Sequence, residues 1–158
     1  MRIALLISVL TTCVCAAQTP PMTCPWLATG SAAAVLGGPV TLSAHVASNQ
    51  QGMCRFSRES DGNVNLEITI GKDDMHLCPE GSTKLAALGN EALQCRSSNA
   101  NGHGLDVVAG RMRNLYFAVS IGNVVDVATV PPATERPSDQ YGASILVRIA
   151  EQVVGNLY

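Results

Sequence analysis

Three histidines, His45, His76 and His103, are the side chains of this 158-residue chain best suited to proton transfer or metal binding near neutral pH. His76 follows two adjacent carboxylates, Asp73 and Asp74, and stands two positions before Cys78, so a bound metal would be held there first. The spacing argues against such a site. The chain has no Cys-x-x-Cys, and its one close Cys/His pair is His76-Leu77-Cys78. Neighbouring residues on a helix point about 100° apart, so Asp73 and Asp74 do not share one proton; they fit a solvated helix N-terminus better. His45 is expected on the wet face of a strand, and His103 sits between two glycines in a turn. Glu91 reads as a structural carboxylate that satisfies backbone N–H groups in a turn. Trp26, the single tryptophan, stands beside Cys24 and Pro25 and is expected to cover a disulfide rather than stack on a ligand. No Gly-x-Ser-x-Gly elbow, phosphate-binding Gly-x-x-x-x-Gly-Lys loop, His-Glu-x-x-His helix or complete calcium loop occurs. No catalytic residue, cofactor or metal site is expected.

The cysteines carry more information. Met1 to Ala17 has the three parts of a secretory signal: Arg2, a short apolar run from Ile3 to Leu10, and the small residues Cys15-Ala16-Ala17 before a cut at Gln18. The apolar run is too short for a bilayer, which needs about 20 such residues. Thr12 before Cys13 fits a lipidation signal poorly, so a soluble exported product, periplasmic or extracellular, is expected rather than a lipid-anchored one. Cys13 and Cys15 leave with the signal. Cys24, Cys54, Cys78 and Cys95 remain, and an even number in an oxidising compartment points to disulfides. Four cysteines allow three pairings; Cys24–Cys54 with Cys78–Cys95 is favoured because each closes a short local loop.

Removing seventeen of 158 residues leaves 141, one domain by length, and removing Arg2 takes the net charge from −2 to −3. Residues 18–23 form a short linker and 24–158 the domain. No basic run or basic–aromatic cluster appears, so no nucleic-acid partner is expected. No other stretch is long and apolar enough to span a membrane, and a monomer is expected. Aromatic residues make up 4%, so the core falls to Val, Leu, Ile and Ala.

Thr29 to Leu36 reads as a short helix, with Thr29 or Ser31 as its cap, an Ala32-Ala33-Ala34 run and a stop at Gly37-Gly38-Pro39. Val40 to Ala47 and Met53 to Arg58 read as strands, with Asp61-Gly62 as a hairpin signal before the next. In that next strand Val64, Leu66, Ile68 and Ile70 alternate with Asn63, Asn65, Glu67 and Thr69, which predicts one buried and one wet face. A short helix is expected at Asp73 to Leu77. Strands follow at Ala92–Ser97, Leu105–Ala109 and Asn114–Ile121, with a turn at 99–104 and a proline-marked loop at 130–137. Ser138 opens a final helix to Val154, whose apolar face is Ala143, Leu146, Val147, Ala150, Val153 and Val154. The fold class is therefore α+β: an antiparallel sheet of about six strands, with an N-terminal short helix and a C-terminal amphipathic helix packed on it. Asn65–Gly71 and Asn114–Gly122 are alike, which two strands of similar alternation explain without duplication.

Cys24-Pro25-Trp26, a helix ending Leu36-Gly37-Gly38-Pro39-Val40, Cys54-Arg55-Phe56, Leu88-Gly89-Asn90-Glu91-Ala92 and a closing amphipathic helix stand in this order. The layout resembles small exported bacterial proteins and lipoproteins of unknown function, some of which look like the PsbP-type α/β sandwich. The resemblance implies that fold and an envelope location, and it agrees with pairing Cys24 to Cys54. It implies no catalytic residue. Asn90 stands where those families have Asp, and Leu88 where they have Gly.

The expected function is a non-enzymatic envelope domain that binds a partner protein or a small ligand, with any cleft lying between sheet and helix. A secreted inhibitor or structural protein is the alternative. A hydrolase with an unrecognised site is the second alternative, and it would need a histidine and a carboxylate converging in a pocket.

Overall fold

A computed structural model describes residues 22–60, 62, 64–86, 88, 89, 91–98, 104–123 and 138–157. The elements are α1 (Thr29–Leu36), β1 (Val40–Val46), β2 (Gly52–Arg58), β3 (Val64–Gly71), β4 (Thr83–Lys84), β5 (Glu91–Ser98), β6 (Gly104–Met112), β7 (Leu115–Asn123) and α2 (Ser138–Gly155). The strands form one sheet in the order β1-β2-β3-β7-β6-β5-β4, with every adjacent pair antiparallel. The fold is α+β as expected, but the sheet has seven strands rather than six. The added strand is the two-residue β4, too short to leave a period-two pattern.

Two meanders, β1-β2-β3 and β4-β5-β6-β7, meet where β3 pairs with β7. Both helices lie on one face: α1 over β1, β2 and β3, and α2 over β6 and β7. The period-two pattern of β3 places Leu66, Ile68 and Ile70 on that face, and the register aligns Cys54, Ile68 and Val119 across three strands. These residues are buried with Phe56, Val108 and Phe117 from the sheet, Ala32 and Leu36 from α1, and Leu146, Ile149, Ala150 and Val153 from α2. Each fully buried Leu, Ile, Val or Phe contributes roughly 1.5–3 kcal/mol relative to exposure. Ile149 belongs to the buried face of α2 although the periodicity omitted it; Ala143 falls outside the described side chains.

Several local expectations need correction. The N-cap of α1 is Ala28, with no side-chain cap; Thr29 and Ser31 lie inside the first turn. Its C-terminus is closed as the glycines suggest. Gly37 is left-handed at φ 74°, and the Gly38 N–H donates to Ala33 O over 3.0 Å. Arg58, arriving from β2, adds a donor: its Nη1 reaches Leu36 O over 3.2 Å, placing a cation at the negative end of the helix. The helix expected at Asp73–Leu77 does not form. Asp74 Oδ1 accepts the His76 N–H over 3.0 Å, and His76 takes φ 45°, outside the helical region. An aspartate that bonds the backbone two residues on offers a turn in place of a helix. The strand expected at Leu105–Ala109 continues through Gly110 and Arg111 to Met112. Asp61, the turn at 99–103 and the loop at 130–137 lie outside the described residues.

Both disulfides join the expected partners: Cys24–Cys54, with Cα atoms 5.9 Å apart, and Cys78–Cys95, with Cα atoms 5.5 Å apart. The first is on the helix side, where Cys54 is buried and Cys24 packs against the core. The second is on the other face, because Cys95 pairs with Val107 in a row whose neighbours Gln94 and Val108 point toward the helices. Among the described residues no helix is long and apolar enough to cross a membrane.

Candidate functional site

The connection from β3 to β4 must travel from the middle of the sheet to its far edge. Residues 72–82 make that journey as an irregular strap, and Cys78–Cys95 pins the strap to the face that carries no helix. At the far end Ser82 closes a turn on Pro79 O, with Oγ donating over 2.6 Å and the backbone N–H over 3.3 Å. The sheet beneath the strap supplies two cross-strand rows. One is Glu91–Arg111–Tyr116, and the other runs through Leu93 and Ala109.

Strap and rows enclose a cleft of about 120 Å³. Asp74, Met75, His76, Leu77 and Cys78 form its roof; Glu91, Leu93, Ala109, Arg111 and Tyr116 form its floor. The cleft thus lies on the helix-free side of the sheet, not between sheet and helix. The small side chain of Ala109, opposite Leu93, leaves room for it, while Gly110 beside it lets β5 approach β6 closely. A Cβ at Gly110 would collide with the backbone oxygen of Glu91 and stand 2.9 Å from the Ala92 Cα.

Arg111 is the central cation. Its Nη2 lies 3.4 Å from Glu91 Oε1, a long contact with both side chains partly in water. Its Nε is buried and has no acceptor among the described residues. A buried donor without a partner loses its hydration and gains nothing in exchange, at about 1–3 kcal/mol. A guanidinium presents its donors in a planar fork that matches a carboxylate. At the rim, His76 Nδ1 stands 3.5 Å from Asp74 Oδ2, and the histidine side chain is 85% exposed. Among the described residues the one hydroxyl in the lining is the Tyr116 phenol, and the Cys78 sulfur is held in its disulfide. Among the described residues no three His, Cys, Asp or Glu side chains gather as a metal site.

Of the residues singled out by type, the structure brings His76, Asp74 and Glu91 to one cleft. Asp73 is exposed beside it and does not line it. His45 is on the outer face of β1, at the opposite edge of the sheet, and His103 lies outside the described residues. Glu91 faces Arg111 across the strands rather than capping a turn. Trp26 is 1% exposed, in the same core as Cys54 and with Cys24 packed against it.

Arg111 and Tyr116 escaped the reading by residue type. Their signal was the Gly110-Arg111-Met112-Arg113-Asn114-Leu115-Tyr116 stretch. Pairing it about Arg113-Asn114 as a tight hairpin sets Arg111 opposite Tyr116, as the register does. Compared with protein-family models, with curated proteins and with solved structures, the chain matches none.

Proposed function

We propose that this chain is an exported, non-enzymatic binding domain, and that it takes a small ligand bearing a carboxylate in the cleft beneath the 72–82 strap. The observation that carries the reading is the buried Nε of Arg111, which has no partner among the described residues, in a guanidinium whose one contact there is a long one to Glu91. A ligand carboxylate accepting from Nε and a terminal nitrogen satisfies the orphan donor and displaces a weak pair with a strong bidentate one. Met75 and Leu77 above and Leu93 below supply apolar walls for the rest of the ligand. Export is supported by the signal-like start and by two disulfides, which persist in oxidising compartments. The resemblance to small exported bacterial proteins points the same way.

A binding role is favoured over hydrolysis because, among the described residues, the lining places no Ser or Thr hydroxyl and no free thiol beside His76. The test is a thermal-shift screen of residues 18–158 against small carboxylates, run in parallel on Arg111→Gln. The reading expects a carboxylate that raises the melting temperature of the parent and leaves the variant unmoved. A shift equal in both proteins, no shift with any carboxylate, or turnover of an ester or peptide that His76→Ala abolishes would overturn it.

A further inference from the structure

The two edges of the sheet are unlike. One ends in the two-residue β4 beside the Cys78–Cys95 staple; the other is β1, seven residues long and regular along its length. In β1 the Ala47 N–H donates to Gln51 O at one end of the β1–β2 ladder, and the Glu59 N–H donates to Pro39 O at the other. Antiparallel pairs alternate between bonded and non-bonded, so Thr41, Ser43 and His45 turn their backbone groups toward β2. Val40, Leu42, Ala44 and Val46 turn theirs outward. The Ala44 N–H meets the Met22 thioether sulfur over 3.1 Å, which agrees with that direction. A thioether is a weak acceptor.

Natural edge strands are blunted by lysine, proline, bulges or inward-pointing charge. Val40-Thr41-Leu42-Ser43-Ala44-His45-Val46 has no Lys, Arg, Asp, Glu or Pro, and its register has no bulge. Of the three exposed large apolar side chains among the described residues, Met22 (59%) and Val46 (39%) are both at this edge.

We propose that β1 is the interface for a second copy of this chain, paired antiparallel about a two-fold axis into a continuous fourteen-stranded sheet. The outward-facing residues fit each other in one register: Leu42 opposite Ala44 of the second copy, and Val40 opposite Val46. Those four side chains share the helix-side face, so the apolar layer runs unbroken across the axis. On the other face Ser43 meets its own symmetry mate, and Thr41 meets His45. No like charges oppose each other. Met22 leaves the Ala44 N–H as the partner strand's carbonyl, a stronger acceptor, takes its place. This replaces the monomer expected from the sequence and is independent of the cleft.

The test is sedimentation of residues 18–158 over a concentration series, with two variants. Ser43→Lys sets like charges against each other at the axis and should raise the dimer dissociation constant about tenfold, equivalent to about 1.4 kcal/mol. An equimolar mixture of Ser43→Lys and Ser43→Glu should restore association. Ala44→Pro removes an outward N–H that β2 does not use, so it should abolish the dimer while the protein still unfolds cooperatively. Urea midpoints of both variants, taken at dilution, separate association from folding, since Ser43 also lies opposite Arg55. A monomer at millimolar concentration, a dimer indifferent to Ser43→Lys and Ala44→Pro, or an edge filled only by a different protein would overturn the proposal.

Discussion

The side-chain amide of Asn156 donates to the backbone carbonyl of Trp26 over 3.0 Å, joining the segment before α1 to the turn after α2. Those residues are 130 positions apart, and the bond bridges the two helices that cover one face of the sheet. Asn156 also continues the backbone ladder of α2, its N–H donating to Gln152 O over 3.1 Å. Replacing Asn156 with Ala should leave the Trp26 carbonyl without this donor and lower stability by about 1 kcal/mol. A urea midpoint shifted down with an unchanged slope is the expected result; no shift would mean that the bond contributes nothing to folding.

Arg58 tests the closure of α1. Its bond to Leu36 O brings positive charge to a helix of only eight residues, which tertiary contacts must hold. Arg58→Ala should destabilise by about 1 kcal/mol, and Arg58→Lys by less. Equal losses in both variants would assign the effect to the guanidinium fork rather than to charge alone.

Gly110 is required by sterics. Phe117 lies opposite it in the β6–β7 register, and a methyl group there would meet the backbone of β5. Gly110→Ala should cost about 1–3 kcal/mol, the usual range for overpacking, because β5 must move. A full melting curve within a degree of the parent would show that β5 yields without cost.

The Cys78–Cys95 staple separates cleft from core. Replacing both cysteines with serine should lower stability by about 3 kcal/mol in the chain-entropy model. It should also release the strap and remove any response to carboxylates, while the helix-side core stays folded. A retained carboxylate response in the double variant would show that the strap holds its place without the bond.

Much of this architecture is legible in local pattern. The alternation of Val64 to Ile70 marks β3 because one face is wet, and Leu36-Gly37-Gly38-Pro39 ends α1 because Gly37 must be left-handed. The disulfide partners follow from loop length. What escaped depends on residues distant in sequence. Nothing near Gly71 says that β7 will pair with β3, so the strap, its route across the helix-free face and the cleft beneath it had no local signature. The Asp73–Leu77 helix fails because the Asp74 side chain accepts the His76 backbone N–H, a choice invisible to periodicity. Arg111 lies beyond the expected strand Leu105–Ala109; β6 runs on to Met112 because Gly110, with no side chain, lets β5 stay close.

The central claim is an exported domain whose fold is held by two local staples, and non-reducing peptide mapping of the protein recovered after export tests it most directly. The account predicts an N-terminus at Gln18, one cross-linked peptide joining Cys24 to Cys54, one joining Cys78 to Cys95, and no free thiol. A peptide joining Cys24 to Cys78, or reduced cysteines in a chain that still begins at Met1, would contradict it.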